Sequence, residues 1–198
     1  MKGKVPIIGL MILLSLSLLS CGSEGGAPGS TNADKTGILI QSVTLTTTAT
    51  NGKNLHVFPT EPAGNTDENA ITLEEVTMKI VAAKRNETGL SEPFPASLEE
   101  CKITYLKAVE DPSSPIIPSL TTFPNCILTE STADASNECT VTLIDAQRKR
   151  DYWNAINKGL NLPAEYPTHY VAQYYCKYLS NFGEYGYFPI EYDFYLGQ

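Results

Sequence analysis

Between Tyr170 and Leu196 large apolar residues recur at a period of two, interrupted once. Tyr170, Ala172, Tyr174, Cys176 and Tyr178 share one parity in the first run, and Phe188, Ile190, Tyr192, Phe194 and Leu196 share one parity in the second. A helix would scatter such residues around its axis, whereas a strand places them all on one face. Asn181-Phe182-Gly183-Glu184-Tyr185-Gly186 separates the runs and supplies the glycines of a turn. The segment therefore reads as an antiparallel hairpin, with Glu191 and Asp193 on its solvated face.

The same alternation recurs upstream. Leu39, Val43 and Leu45 alternate with Ile40, Ser42 and Thr44 in a run from Ile38 to about Thr48. Val76, Met78 and Ile80, then Cys101, Ile103 and Tyr105, then Cys139, Val141 and Leu143 complete the set, and a shorter strand is expected over Cys126 to Glu130. One helix interrupts the strands. Asp145 is placed to cap a run from Ala146 to Lys158 that Gly159 ends, with Tyr152 or Trp153, Ile156 and Leu160 on one face. The connections at 49–70, 83–98 and 110–124 are long and rich in Pro, Asn and acidic residues. No internal repeat is visible.

The N-terminus carries an address. Lys2 and Lys4 precede an uncharged apolar run from Val5 to Leu19, and Leu18-Leu19-Ser20-Cys21 closes it. A basic start followed by a short apolar segment is the layout of a secretory signal, and the run falls short of the roughly 20 residues of a spanning helix. Leu18-Leu19-Ser20-Cys21 resembles the lipobox of bacterial lipoproteins. That resemblance implies cleavage before Cys21, a thioether-linked diacylglycerol on its sulfur and acylation of the new amine. It also implies an outer-membrane destination, because Gly22 stands where retained lipoproteins often carry Asp. Each buried methylene contributes about 0.8 kcal/mol, so three acyl chains would hold the protein on the bilayer. Residues 23–36, rich in Gly, Ser, Ala and Asn, read as a flexible tether with a reach of roughly 20 Å. The expected organisation is a signal peptide over 1–20, lipidated cysteine and tether over 21–36, and one β domain over 37–198.

Loss of Lys2 and Lys4 with the signal takes the net charge from −8 to −10. An acidic chain of this kind is not a nucleic-acid binder on charge grounds. Beyond Cys21 four cysteines remain, Cys101, Cys126, Cys139 and Cys176. An even count in an exported chain reads as two disulfides with three possible connectivities, and the spacing lacks the close pairs of zinc sites. Cys126 and Cys139 flank the polar run Ser131 to Asn137, expected to be a hairpin loop that their pairing would pin. Cys101 and Cys176 each share a parity with inward-facing neighbours, so the second expected bond joins them.

Tyr170-Val171-Ala172-Gln173-Tyr174-Tyr175-Cys176 resembles the penultimate strand of immunoglobulin-like domains. There a tyrosine two residues before the second cysteine sends its hydroxyl to upstream backbone, the tyrosine corner. Tyr174 would be that residue. The resemblance implies an immunoglobulin-like or fibronectin-like antiparallel β-sandwich of about seven strands, with the short helix before the penultimate strand. Two features depart from antibody domains: Tyr170 stands where an acidic residue is expected, and the sole tryptophan, Trp153, lies in the helix.

No nucleophile, metal, phosphate-loop or dinucleotide motif includes His56 or His169 or occurs elsewhere, and neither an enzyme, a metal nor a cofactor is expected. Asn65-Thr66-Asp67-Glu68-Asn69 offers oxygen ligands without EF-hand spacing. Arg148-Lys149-Arg150 reads as a solvated basic cluster. Nine of the eleven tyrosines lie between Tyr166 and Tyr195; most belong to the core by parity, and Tyr175, Tyr185, Tyr187 and Tyr195 are left as candidates for an exposed ligand-binding face. The functional expectation is a non-catalytic interaction or assembly module, held on the membrane by lipid and meeting another envelope or surface protein. The alternative is a lipoprotein that binds carbohydrate or another small ligand through these aromatics.

Overall fold

The computed structural model describes residues 25–26, 31–47, 54–56, 71–85, 92–109, 111–159, 163 and 165–197. The apolar leader, Cys21 and the acidic run 65–69 lie outside them. In chain order the elements are β1 (Gly25–Gly26), α1 (Ala33–Thr36), β2 (Ile38–Thr47), β3 (Asn54–His56), β4 (Glu74–Lys84) and β5 (Ala96–Lys107). Then follow β6 (Leu120–Thr122), β7 (Cys126–Leu128), β8 (Asn137–Ile144), α2 (Ala146–Asn157), β9 (Thr168–Leu179) and β10 (Tyr185–Gly197).

The strands form two sheets. One has the order β1-β2-β4-β8; the other runs β3-β10-β9-β5, with β6 and β7 pairing successive stretches of the outer side of β5. With β6 and β7 counted as one broken edge, the major strands number seven. Their connectivity is that of an immunoglobulin-like sandwich: β2, β4 and β8 match strands A, B and E, and β5, β9 and β10 match C, F and G. The short β3 departs from the antiparallel rule and runs parallel to β10. The helix α2 lies immediately before β9, capped by Asp145, whose carboxylate accepts the Arg148 N–H at 2.8 Å.

The inward parity of the C-terminal hairpin is as the alternation requires. Tyr170, Ala172, Tyr174, Cys176 and Tyr178 are buried, and so are Phe188, Ile190, Tyr192, Phe194 and Leu196. In β2 the expected faces are wrong for the first turn of alternation. Ile38 and Ile40 are buried and Leu39 is 40% exposed, yet Val43 and Leu45 are buried as well. A β-bulge between Ile40 and Ser42 inserts Gln41, so parity reverses within one strand. A second bulge at Glu99 does the same in β5, joining buried Ala96 and Leu98 to buried Cys101 and Ile103.

Part of the expected tether belongs to the fold. Gly25 and Gly26 pair with Thr44 and Val43. The Thr31 amide donates to the Tyr187 carbonyl at 2.9 Å, and Thr36 is fully buried at the end of α1.

Both disulfides are present, Cys101–Cys176 and Cys126–Cys139. Cys101 and Cys176 are direct partners in the β5–β9 ladder, so their bond lies within one sheet and does not cross the sandwich as the antibody bond does. The hairpin expected around the second bond does not exist. β7 pairs with β5 and β8 pairs with β4, so Cys126–Cys139 clips one sheet to the other along an edge. The polar residues between them make the crossing. The Ser131 amide donates to the Ala82 carbonyl and its hydroxyl accepts from the Ala82 amide, at 2.8 and 2.9 Å. Asn137 donates to the carbonyls of Ile80 and Thr129. In the chain-entropy model the closed loops of 13 and 75 residues correspond to about 3 and about 4 kcal/mol.

Buried tyrosine hydroxyls bind the layers further. Tyr174 donates to the Thr142 carbonyl at 3.1 Å and Tyr105 to the Leu143 carbonyl at 2.6 Å, both on β8 of the opposite sheet. The β4–β8 register skips Leu143, so Tyr105 takes a carbonyl that the ladder leaves out. Tyr178 reaches Ile38 of β2, Tyr170 reaches Pro115, and Tyr152 of α2 reaches Leu196. The expected tyrosine corner is thereby corrected: the Tyr174 acceptor lies 32 residues upstream across the sandwich, not a few residues away at a local bend. At the hairpin end the Tyr178 ring lies where a side chain on Gly186 would be; a Cβ there would meet the ring at 2.2 Å, so only glycine fits.

Tyr174→Phe keeps the ring and removes the hydroxyl that bonds the Thr142 carbonyl across the sandwich. Its cost is on the order of 1 kcal/mol, while Tyr175→Phe on the outward face costs a few tenths at most. Urea denaturation of the two variants side by side gives the comparison.

Candidate binding face

The outer surfaces of the two sheets differ in chemistry. On the four-stranded sheet the outward positions include Thr44, Thr46, Thr77, Lys79, Glu138 and Thr140, with Lys79 and Glu138 paired at 2.8 Å. On the six-stranded sheet the outward positions of β9 and β10 carry all four tyrosines singled out from the sequence. Tyr175 and Tyr185 are 49% and 40% exposed, and Tyr187 and Tyr195 are half-buried. Their neighbours on this face are His169, Gln173 and Lys177 on β9, Glu191 and Asp193 on β10, and Lys102 and Thr104 on β5.

The four rings do not make one flat platform. Tyr175 and Tyr187, diagonal neighbours in the ladder, stack with centroids 5.4 Å apart and planes 11° apart. Tyr195 stacks on His169 at 4.5 Å, and the His169 Nε2 lies 3.1 Å from Asp193 Oδ1. The Tyr185 ring is covered by Lys177, whose Nζ lies 4.1 Å from its centroid and 3.7 Å from a Glu99 oxygen. Each ring has spent one face on a neighbour.

A concavity interrupts the face between β5 and β10. A depression of ≈ 390 Å³ is bordered by Lys102 and Thr104 from β5, Gln173 and Tyr175 from β9, and Pro189 and Glu191 from β10. The register places Tyr187 on the turn side of Tyr175, and Gln173 with Glu191 on the far side. The stack therefore backs Tyr175 from behind and leaves its other side toward the depression. Gln173 Nε2 donates to Glu191 Oε1 at 2.7 Å and fixes that carboxylate at the rim. Of the lining residues only Tyr175 was singled out as a binding candidate from the sequence. Alternation alone points Lys102, Thr104 and Gln173 outward, but it does not show that they converge.

Elsewhere the candidate residues serve the fold. Arg148 is tied to Asp145 and to the carbonyls of Pro118 and Ser119. Lys149 is 1% exposed and its Nζ meets Glu74 Oε1 at 2.6 Å. Burial holds the Lys149 ammonium below its usual range, and the Glu74 hydrogen bond works against that shift. Of the basic cluster expected to be solvated, Lys149 thus clamps α2 to β4 and Arg148 ties α2 to the 118–119 segment, while Arg150 bonds Gln147 within the helix. Among the described residues no group of three His, Cys, Asp or Glu side chains converges as a metal site would require.

Burial also changes the acidity of four inward tyrosines. Burial pushes the phenols of Tyr105, Tyr170 and Tyr174 well above the ordinary value of 10.0 and raises Tyr152 to about 12. Between the ordinary and raised values the folded chain holds more protons than the unfolded one, so stability falls as pH rises through that window. Alkaline titration followed by phenolate absorbance will show a group of tyrosines that stays silent above pH 10.0 and then ionises together with unfolding, read by circular dichroism. In Tyr174→Phe and Tyr152→Phe the alkaline loss of stability will be shallower.

Compared with known proteins, the chain matches no protein-family model, no curated protein and no solved structure.

Proposed function

We propose that this protein is a lipid-anchored, non-catalytic recognition module of the bacterial cell envelope, and that it meets its partner with the outer face of the six-stranded sheet. One observation carries the choice of face. A sandwich has two outer surfaces, and here one is threonine-rich and polar while the other carries four outward tyrosines, one of which, Tyr175, borders a concavity. Aromatic side chains give large contact area at low entropic cost, so they mark the surface that repays burial. The anchor rests on the lipobox-like ending of the leader at Cys21, followed by small polar residues. No helix among the described residues is long and apolar enough to cross a membrane. Attachment by lipid and recognition by a preformed sheet face need no chemistry at the site.

Two experiments test this reading. Intact-mass analysis of the mature protein will show an N-terminal Cys21 bearing acyl mass, and Cys21→Ser will abolish it; a mature chain without acyl mass removes the anchor from the proposal. Photo-crosslinking residues placed at 175 or 185 will yield adducts in intact cells, while the same residues at 44 or 140 on the other sheet will not. Adducts confined to 44 and 140 would mean that the wrong face has been chosen.

A further inference from the structure

We infer that the depression between Lys102 and Glu191 is a binding site for a saccharide containing a hexuronic acid. The sugar ring lies against Tyr175, its carboxylate on Lys102 and its hydroxyls on Glu191 and Gln173. The inference rests on the reading of this face as the recognition surface and names the class of ligand it takes.

Three features of the site select that chemistry. The first is the wall. Tyr175 stands at the rim with Tyr187 stacked behind it, so the exposed ring is braced in place. A braced aromatic face receives the C–H face of a pyranose at little entropic cost. The second is charge. Lys102 is exposed and has no ion-pair partner among the described residues, whereas Lys177 on the same face has Glu99 and Lys79 on the other sheet has Glu138. A free cation on the rim of a depression, in a chain of formal charge −8, suits an anionic group. The third is the opposite bank. Glu191, oriented by Gln173, is an acceptor for hydroxyl donors and repels a second negative charge. A dianionic phosphate would therefore meet a carboxylate across the site, while a single carboxylate on a polyhydroxylated ring satisfies both banks. β5 and β10 lie two strand steps apart, about 9.5 Å, a gap that one substituted sugar ring bridges. A second copy of this chain fits less well, because two concave faces would enclose a void between two acidic proteins.

Calorimetric titration of the full-length chain in detergent micelles tests the assignment, with tri-galacturonic acid as ligand and its methyl ester as the neutral control. The acid will bind saturably, and the ester at least tenfold more weakly. Lys102→Gln will bring the two to the same affinity, and Tyr175→Ala will lose both. Equal binding of acid and ester by the unaltered protein, indifference to Lys102→Gln, or no saturable binding of the acid would overturn the assignment. So would a concentration-dependent dimer that Lys102→Gln disperses, since a second copy would then occupy the face. Lys102 is exposed, so its variant folds even if Tyr175→Ala does not. Adducts at 175 and 185 without saccharide binding would leave the recognition face standing and remove only the saccharide.

Discussion

The hydroxyl of a buried tyrosine must find an acceptor, and in this sandwich that requirement fixes how the two layers meet. Tyr105 and Tyr174 rise from adjacent strands of the six-stranded sheet and end on adjacent carbonyls of β8 in the other. Sliding one layer by a single residue would take both buried phenols away from these acceptors, at a cost of about 1–3 kcal/mol for each left unpaired. Apolar side chains alone would tolerate such a slide, because their attraction has no direction. Tyr178 imposes the same condition at Ile38, and Tyr152 carries it to the helix through Leu196. The Cys126–Cys139 bond reinforces the edge where β7 and β8 leave their separate sheets. The position of the outer face, and of everything on it, follows from this inner register.

How far the sequence could be read depended on whether a feature was local. The hairpin faces were legible because twelve consecutive pairs from Tyr185↔Leu179 to Leu196↔Thr168 run without a bulge, so parity holds throughout. The face of Leu39 was not, because Gln41 is unremarkable in sequence and the bulge it forms depends on what β4 presents opposite. The pairing of Cys126 with Cys139 was legible from their closeness, but its meaning was not. A short polar run between two strands looks alike whether the chain turns back on itself or crosses to another layer, and only the Ala82 and Ile80 backbone groups that Ser131 and Asn137 satisfy decide between them. Lys149 was misread for a related reason. It sits three residues before Tyr152 and so shares the buried stripe of α2, but charge argued for solvent until Glu74 supplied a partner.

The binding face shows the same division. Period-two alternation places Tyr175, Tyr185, Tyr187 and Tyr195 outward, and they are outward. Their use as stacking partners for one another, for His169 and for Lys177 is a cross-strand property, set by diagonal neighbours on β9 and β10. Convergence of Lys102 from β5 with Glu191 from β10 is set by the order β10-β9-β5, which joins residues 89 positions apart in the chain. A ligand surface of this kind is thus spread over three strands, with β9 as its spine.

The entry of the chain into the fold has a geometric consequence for that surface. Thr31 and Asn32 are stitched to the backbone of Tyr187 and Tyr185, at the aromatic end of β10. Before that point Gly25 and Gly26 are already paired with Thr44 and Val43 of β2, so only four residue steps lie between Cys21 and the fold, a leash of at most about 14 Å when fully drawn out. A lipid on Cys21 would therefore moor the molecule first along the β1 edge of the four-stranded sheet, and the aromatic face on the other sheet would be held by that edge. Whatever the face engages would be captured within a shell a few nanometres deep above the bilayer, so the mooring point limits the reach of recognition as much as the site sets its chemistry.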